Sequence, residues 1–444
     1  MHPPRLDEAA EVTGPAVAAP PAGGIRARLS ALKDSETAAA VSLGAAAMVS
    51  NLVAVGFTVV FTRLLGVAGY GSLAALLNLT VILFVPGYSL QVATARAGTL
   101  GRLGAGHELA GTLRRWTAHL LLALAAVTVL AVVAREPLAA LLNVDEEWAA
   151  AGVPATAAVW LLLCLQRGLL QAHRAYRAVA LSVALEALGR LAVALVLVAA
   201  GGGVTGAYLG TGASLAITAV ALGLLLRRRL GPADPHASQH PLRRLARAAG
   251  LPIAALTLVA ALQNLDVIVA KHVLGEDVAG VYAATAVAAK ATVWIAIGLG
   301  LWVLPEATRR LADGVDPRSV LVRALALIGA VAAVELAIYA AAPGLVLRVA
   351  FGADYEDGAG VLLALGVAYA LLACATLTVQ YLLALHERTF VYALGVAALV
   401  LGALLAGAGS GGLESFAAIV LAVQAAAAAA LLALAWRHRP ASPA

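Results

Sequence analysis

The sequence predicts an all-α polytopic membrane protein of about 12 transmembrane helices, built as two parallel six-helix lobes around a central cavity. Composition, the length of the apolar runs and the placement of the arginines predict it. Of 444 residues, 62% are hydrophobic and 12% charged, and the mean hydropathy is +0.93. Soluble domains carry about 45–50% apolar and about 25% charged residues. A chain with half the usual charge cannot cover a water-facing surface of this size. Only helices or closed barrels satisfy every backbone donor and acceptor inside a bilayer. Barrels read as alternating segments of about ten residues, whereas here the apolar runs reach about twenty and are rich in Ala, Leu and Val.

Residues 1–24 are dominated by Pro, Ala and Gly, with no apolar core, and read as a disordered tail rather than a signal peptide. Residues 25–36 can form a short interfacial helix, with Ile25, Leu29 and Leu32 on one face and Arg26, Arg28 and Lys33 beside it. Spans are expected near 37–61, 72–94, 116–134, 151–171, 181–200 and 207–226, which form an N-lobe over 37–226. A basic linker, 227–249, separates them from a C-lobe over 250–435, with spans near 250–270, 282–304, 320–342, 359–384, 390–408 and 414–435. A short tail, 436–444, ends the chain.

Arginines set the orientation. The N-tail (Arg5, Arg26, Arg28, Lys33), the second loop (Arg96, Arg102, Arg114, Arg115) and the fourth (Arg167, Arg174, Arg177) share one side with the linker, Arg309, Arg310, Arg318, Arg323, Arg388, Arg437 and Arg439. The opposite side has Arg63, Arg135, Lys271 and Arg348. By the positive-inside rule both termini face the cytoplasm. The net charge of +6 is therefore topological and does not point to nucleic acid. Tyr70, Trp116, Tyr208, Tyr282 and Trp436 fall at span ends, where amphipathic rings sit at the membrane interface.

An internal repeat follows from two loops. Leu65-Gly66-Val67-Ala68-Gly69-Tyr70 and Leu274-Gly275-Glu276-Asp277-Val278-Ala279-Gly280-Val281-Tyr282 align with a two-residue insertion, and Gly87 then falls opposite Gly298. Because each half has an even number of spans, the halves run the same way, related by an axis along the membrane normal.

Phe61-Thr62-Arg63-Leu64-Leu65-Gly66 followed by Gly69-Tyr70-Gly71 resembles the first loop of the polysaccharide flippases, in the multidrug/oligosaccharidyl-lipid/polysaccharide exporter superfamily. Asn264-Leu265-Asp266 through Lys271-His272-Val273-Leu274-Gly275 and on to Lys290 is similar to their seventh and eighth spans. Phe351-Gly352-Ala353-Asp354-Tyr355 and Tyr381-Leu382-Leu383-Ala384-Leu385 fit the tenth, and hydropathy alone supports the last two spans. The resemblance implies translocation of lipid-linked, polyprenyl-diphosphate oligosaccharide from the inner to the outer leaflet, with a polysaccharide polymerase or glycosyltransferase as partner. Two other readings stand beside it: an ion-coupled small-molecule exporter of the same superfamily, and a membrane polysaccharide polymerase or acyltransferase.

A charge at mid-bilayer costs about 2.5–3.5 kcal/mol or more, so it faces a cavity or a partner. Arg190, Lys290 and Arg63 are candidate ligands of a diphosphate, to which cations supply charge-assisted donors. Against this stand two structural pairings, Glu186–Arg190 at i,i+4 and Asp266–Lys290 between neighbouring spans. Asp266 and Glu335 are alternatively candidates for a coupling proton or Na⁺. Asn51, Asn78, Gln91, Gln263, Asn264 and Gln380 can line the cavity or join helices. Pro86-Gly87 is expected to kink the second span. Cys164 and Cys374 lie in apolar runs and read as packing residues. The histidines are scattered, so neither a metal nor another cofactor is expected, and no P-loop is present to bind ATP.

Overall fold

The structure, a computed structural model, describes residues 36–104, 106–231, 242–408 and 411–437. The proposed tail and most of the interfacial helix lie outside the described residues. Among the described residues nine helices are long and apolar enough to cross a membrane. Two of these, Ser42–Thr99 and Tyr176–Leu230, run to 58 and 55 residues. At 1.5 Å per residue each would span about 80 Å or more, against a hydrocarbon core of about 30 Å, so each must supply two crossings. With the shorter apolar helix Phe390–Ala406 this gives twelve spans.

Glycine makes both divisions. Gly66 (φ 69°, ψ −177°) departs from helical dihedrals and separates span 1 (36–65) from span 2 (67–99). Gly201 (φ 89°) sits in a π-turn, Val198–Gly202, between span 5 (Tyr176–Leu197) and span 6 (Gly203–Leu230). A residue with a Cβ is strained at positive φ, and glycine is not. Pro86 lies inside span 2, where the dihedrals stay helical, and the break in the long helix is at Gly66. Gly87 instead admits a neighbour: a Cβ on it would lie 2.6 Å from the Trp160 ring.

The remaining spans are His107–Val133 (span 3), Glu147–Ala172 (span 4), Gly250–Val273 (span 7), Glu276–Ala289 with Ala291–Ala312 (span 8), Arg318–Ala341 (span 9), Ala359–Ala384 (span 10), Phe390–Ala406 (span 11) and Gly412–Arg437 (span 12). Span 8 is not the single helix expected; it is interrupted at Lys290. Part of the basic linker is helical, Leu242–Ala248, and its Leu242 and Leu245 pack on the N-lobe core.

The repeat is repeated in packing. In the N-lobe span 4 packs against spans 2, 3 and 6, and span 5 against span 6; in the C-lobe span 10 packs against spans 8, 9 and 12, and span 11 against span 12. Spans 4 and 10 are the most enclosed helices, with 61% of each apolar window buried, as expected of the central helix of a lobe. An eight-residue helix precedes each of them, Arg135–Leu142 and Pro343–Ala350. Elsewhere large apolar side chains face outward, including Leu122, Val133, Leu301 and Leu399. Such a surface fits lipid and not water.

The lobes meet through spans 1 and 2 against spans 7 and 8. Gly71 and Gly280 let the backbones touch, since a Cβ on Gly71 would fall 3.1 Å from the Gly280 nitrogen. Asn143 Nδ2 donates to the Lys271 carbonyl (2.8 Å), and the Tyr355 hydroxyl donates to the Thr62 carbonyl (3.1 Å). These contacts lie in or within about five residues of the connections 1–2, 3–4, 7–8 and 9–10, so they close one end of the seam.

Four of the five aromatic residues expected at the membrane interface are core residues. Tyr70, Trp116, Tyr208 and Tyr282 are buried, and only Trp436 is exposed. For two of them the hydroxyl explains the error: Tyr208 bonds Thr80 (2.7 Å), and Tyr282 finds a carboxylate inside the C-lobe. A ring with a buried polar partner has no need of the interface. Lys271, expected in an outer loop, is likewise buried in the last turn of span 7 and paired with Glu276 at 3.3 Å.

Candidate substrate cavity and buried charges

In the N-lobe the expected Glu186–Arg190 pair does not form. Glu186 pairs instead with Arg167, at 3.7 Å. Sequence reading placed Arg167 in the basic fourth loop, but it is buried in span 4. Its Nε donates to Ser182 Oγ and its Nη2 to the Ser182 carbonyl, each at 3.0 Å, and its guanidinium lies 5.6 Å from the Trp160 ring centre. Trp160 is fixed in turn by stacking on Phe84 and by donating to the Phe84 carbonyl (2.9 Å). Arg167 therefore has a carboxylate, a hydroxyl, a carbonyl and a ring, which is what a buried guanidinium requires.

Arg190 is left without the carboxylate. It lies one turn along span 5, its guanidinium 5.6 Å from the Phe57 ring centre, and its Nε is buried with no hydrogen-bond partner. A half-buried guanidinium with an unused donor is able to take an anion. Nearby, Tyr88 packs edge-on to Trp160 and remains 54% exposed, giving this side of the lobe an aromatic surface.

In the C-lobe the expected Asp266–Lys290 pair is replaced by a shared ring. Asp266 is fully buried on span 7, and its Oδ2 accepts from the hydroxyls of Tyr282 (2.7 Å) and Tyr369 (2.5 Å). Its Oδ1 is buried without a partner. The Lys290 ammonium lies 5.1 Å from the centre of the Tyr369 ring and donates to Asn78 Oδ1 of span 2 at 3.3 Å. Lys290 is thus a bond between the lobes at mid-depth, 3% exposed, rather than an open cation. Asn78 also caps the Ala74 carbonyl (2.7 Å), and Asn264 does the same for Ala260.

Glu335 on span 9 accepts from Thr292 of span 8 and from Tyr339 of its own helix (2.8 Å). Among the other candidates, Arg63 and Asn51 are exposed, Gln91 and Gln380 are half-buried, and Gln380 packs where a Cβ on Gly300 would go. The structure thus gathers Asp266, Lys290 and Asn78 around Tyr369, and sets Arg190 apart in the other lobe. Sequence reading missed Arg167, Tyr339, Tyr369 and Gln424; the last, fully buried in span 12, donates to the Leu262 carbonyl (2.8 Å). For Arg167 the usable signal was its position four residues inside the expected span end, seven residues after Trp160. For the tyrosines there was none beyond their place in apolar helices.

No curated protein sequence matches the chain. Several solved structures share its fold. The lipid II flippase MurJ in its inward closed conformation superposes with a TM-score of 0.67 at 12% identity, over 89% of this chain and 87% of that one. A MATE transporter in complex with MaD3S gives 0.63 at 14% identity, over 90% and 95%. An outward-facing multidrug resistance MATE transporter of the MOP superfamily gives 0.61 at 14% identity, also over 90% and 95%. Residues 37–299, more than half the chain, match the polysaccharide biosynthesis protein family, and the chain belongs to that family.

Proposed function

We propose that this protein carries a polyprenyl-diphosphate-linked oligosaccharide from the inner to the outer leaflet of a prokaryotic plasma membrane by alternating access, for cell-surface polysaccharide assembly. Both termini face the cytoplasm in this reading, and a polysaccharide polymerase or glycosyltransferase acts beside it. The lobes, 37–226 and 250–435, would rock about the seam of spans 1, 2, 7 and 8. Family membership supports the class of process, and the shared fold with a lipid II flippase supports a lipid-linked cargo.

One observation carries the choice of an anionic substrate. Arg190 has an unused buried donor, while the carboxylate of its lobe, Glu186, is already neutralised by Arg167. A site for cationic drugs would need the opposite balance, with the carboxylate free. Arg63 at the loop end and Lys290, released from Asn78 when the lobes part, would add cations along the path, with Asn51, Gln91 and Asn264 as polar neighbours. Asp266 and Glu335 are the carboxylates available for a coupling ion.

The test is reconstitution into liposomes with a labelled polyprenyl-diphosphate sugar, measuring its appearance in the opposite leaflet. Loss of a charge-assisted hydrogen bond is worth about 1.5–3 kcal/mol, so Arg190→Ala should weaken substrate binding about ten- to a hundredfold. Wild-type transport by both Arg190→Ala and Lys290→Ala proteins, at equal expression, ends the proposal.

A further inference from the structure

We infer that Glu335 is a proton-binding site of this transporter, and that its proton holds the interrupted turn of span 8 against span 9. The inference rests on the transport reading for its purpose, but its geometry stands alone. The Tyr339 hydroxyl lies 2.8 Å from Glu335 Oε1 and 2.7 Å from the carbonyl oxygen of Ala288. Both are hydrogen-bond distances, both neighbours are acceptors, and the hydroxyl has one proton to give. With Glu335 ionised, the two acceptors must share that one proton, which weakens both contacts or opens one of them. With Glu335 protonated, its O–H donates to the Tyr339 oxygen and Tyr339 donates to Ala288, so both contacts are satisfied at once. Thr292 Oγ1 donates to the other carboxyl oxygen in either state.

The position gives the proton leverage. Ala288 and Thr292 bracket Lys290, where span 8 breaks and the backbone bonds become Lys290 to Val287 (3.3 Å) and Val293 to Lys290 (3.0 Å). Lys290 in turn bonds Asn78 in the other lobe. A change at Glu335 therefore reaches the seam through two residues of span 8. The charged and titratable groups facing Glu335 do not compete for its role. From span 8, the Lys290 ammonium is turned to Asn78 and the Tyr369 ring. From span 10, Gly366 packs on the Tyr339 ring, and Tyr369 is bonded to Asp266. From the helix Pro343–Ala350, Arg348 is paired with Glu356. On its own helix, Arg323 lies about 18 Å away at 1.5 Å per residue. The proton is taken from water on the side to which the cavity is open and returned to water on release. One carboxyl O–H bond forms and later breaks, and nothing is oxidised or reduced.

The experiment uses purified full-length protein in lipid without substrate, so its failure and that of the proposed function are separable. Spin labels at Ile297→Cys on span 8 and Leu327→Cys on span 9, both exposed positions, report the separation of the two helices. Wild type should hold one distance distribution in acid and move to a second in alkali. Glu335→Gln, whose amide donates to Tyr339 and accepts from Thr292, should stay in the acid distribution throughout. Infrared difference spectra should contain a protonated-carboxyl carbonyl band that Glu335→Gln loses. Tyr339→Phe should keep that band and lose the pH-dependent shift. A Glu335→Gln protein that still moves with pH overturns the inference, as does a spectrum whose carboxyl band is unchanged by that substitution.

Discussion

Gly280→Ala is expected to unseal the end of the molecule where the lobes meet. A Cβ at this position overlaps the carbonyl oxygen of Val67 and lies 2.7 Å from its carbonyl carbon and from Cγ1. Two of these atoms are backbone in the opposite lobe, so no rotamer change relieves the clash and the lobes must separate. Overpacking of this kind costs about 1–3 kcal/mol. The cost falls only on the closed seam, so the equilibrium should move toward the open seam about 5- to 150-fold. Gly71→Ala, whose Cβ would lie 3.1 and 3.2 Å from Gly280 backbone atoms, should produce a smaller shift, and Gly298→Ala, with open space around it, none. The assay is the rate at which a membrane-impermeant maleimide labels Ala74→Cys, a buried seam position, after Cys164 and Cys374 are replaced by alanine. Equal labelling of the Gly280→Ala and Gly298→Ala proteins would refute the reasoning.

Three further outcomes follow from charged groups in either lobe. Arg167→Met strands the Glu186 carboxylate in the N-lobe and should cost about 3–5 kcal/mol, while Arg167→Met with Glu186→Gln should recover most of it; thermal unfolding in detergent measures both. Burial raises the Glu146 carboxyl above its ordinary pKa, and its Oε2 has no partner. The folded chain then binds this proton more tightly than the unfolded one, so stability falls as pH rises from the ordinary value through the raised one. Glu146→Gln should therefore be more stable than wild type at neutral pH and equal to it in acid, as read by melting temperature across pH. Arg348→Ala removes an exposed pair with Glu356 and should change stability by less than about 1 kcal/mol in the same melts.

Much of this fold was legible because the bilayer enforces it. Apolar runs of about twenty residues gave span positions that the helices follow, and the shared Gly66 and Gly275 loops disclosed a duplication that the packing of spans 4 and 10 repeats. Interior polar chemistry was less legible, for a physical reason. A buried charge takes whichever partner the tertiary packing brings within reach, whereas sequence proposes partners by helical spacing or from spans adjacent in the chain. Glu186 thus left Arg190 for Arg167 on span 4, and Asp266 left Lys290 for two tyrosines on spans 8 and 10. Arg167 was hidden by its company: Arg174 and Arg177 lie just beyond it, and the three together read as a loop. Tyr208 and Tyr282 were misplaced because an aromatic at a span end has the same sequence signature whether its hydroxyl meets water or a buried acceptor.

The duplication extends to packing but not to charge. If span 4 corresponds to span 10 and span 5 to span 11, then Arg167, Glu186 and Arg190 have apolar or uncharged counterparts, since Ala359–Ala384 and Phe390–Ala406 contain no Asp, Glu, Lys or Arg. The C-lobe charges, Asp266, Lys290 and Glu335, lie on spans 7, 8 and 9, and the interiors of spans 1 and 2 are uncharged in return. Each such group costs about 2.5–3.5 kcal/mol or more to place in the membrane, so an idle copy in the second lobe would be a standing burden on stability. What the halves share is the part that builds a lobe: a central helix, a short helix before it, and glycines where backbones cross. What they do not share is the set of buried charges proposed to act on a ligand or an ion. An exchange experiment separates the two. Moving the charge of Arg190 to its counterpart helix should preserve folding and lose transport, because the scaffold tolerates the lobe but the proposed anion site lies on span 5.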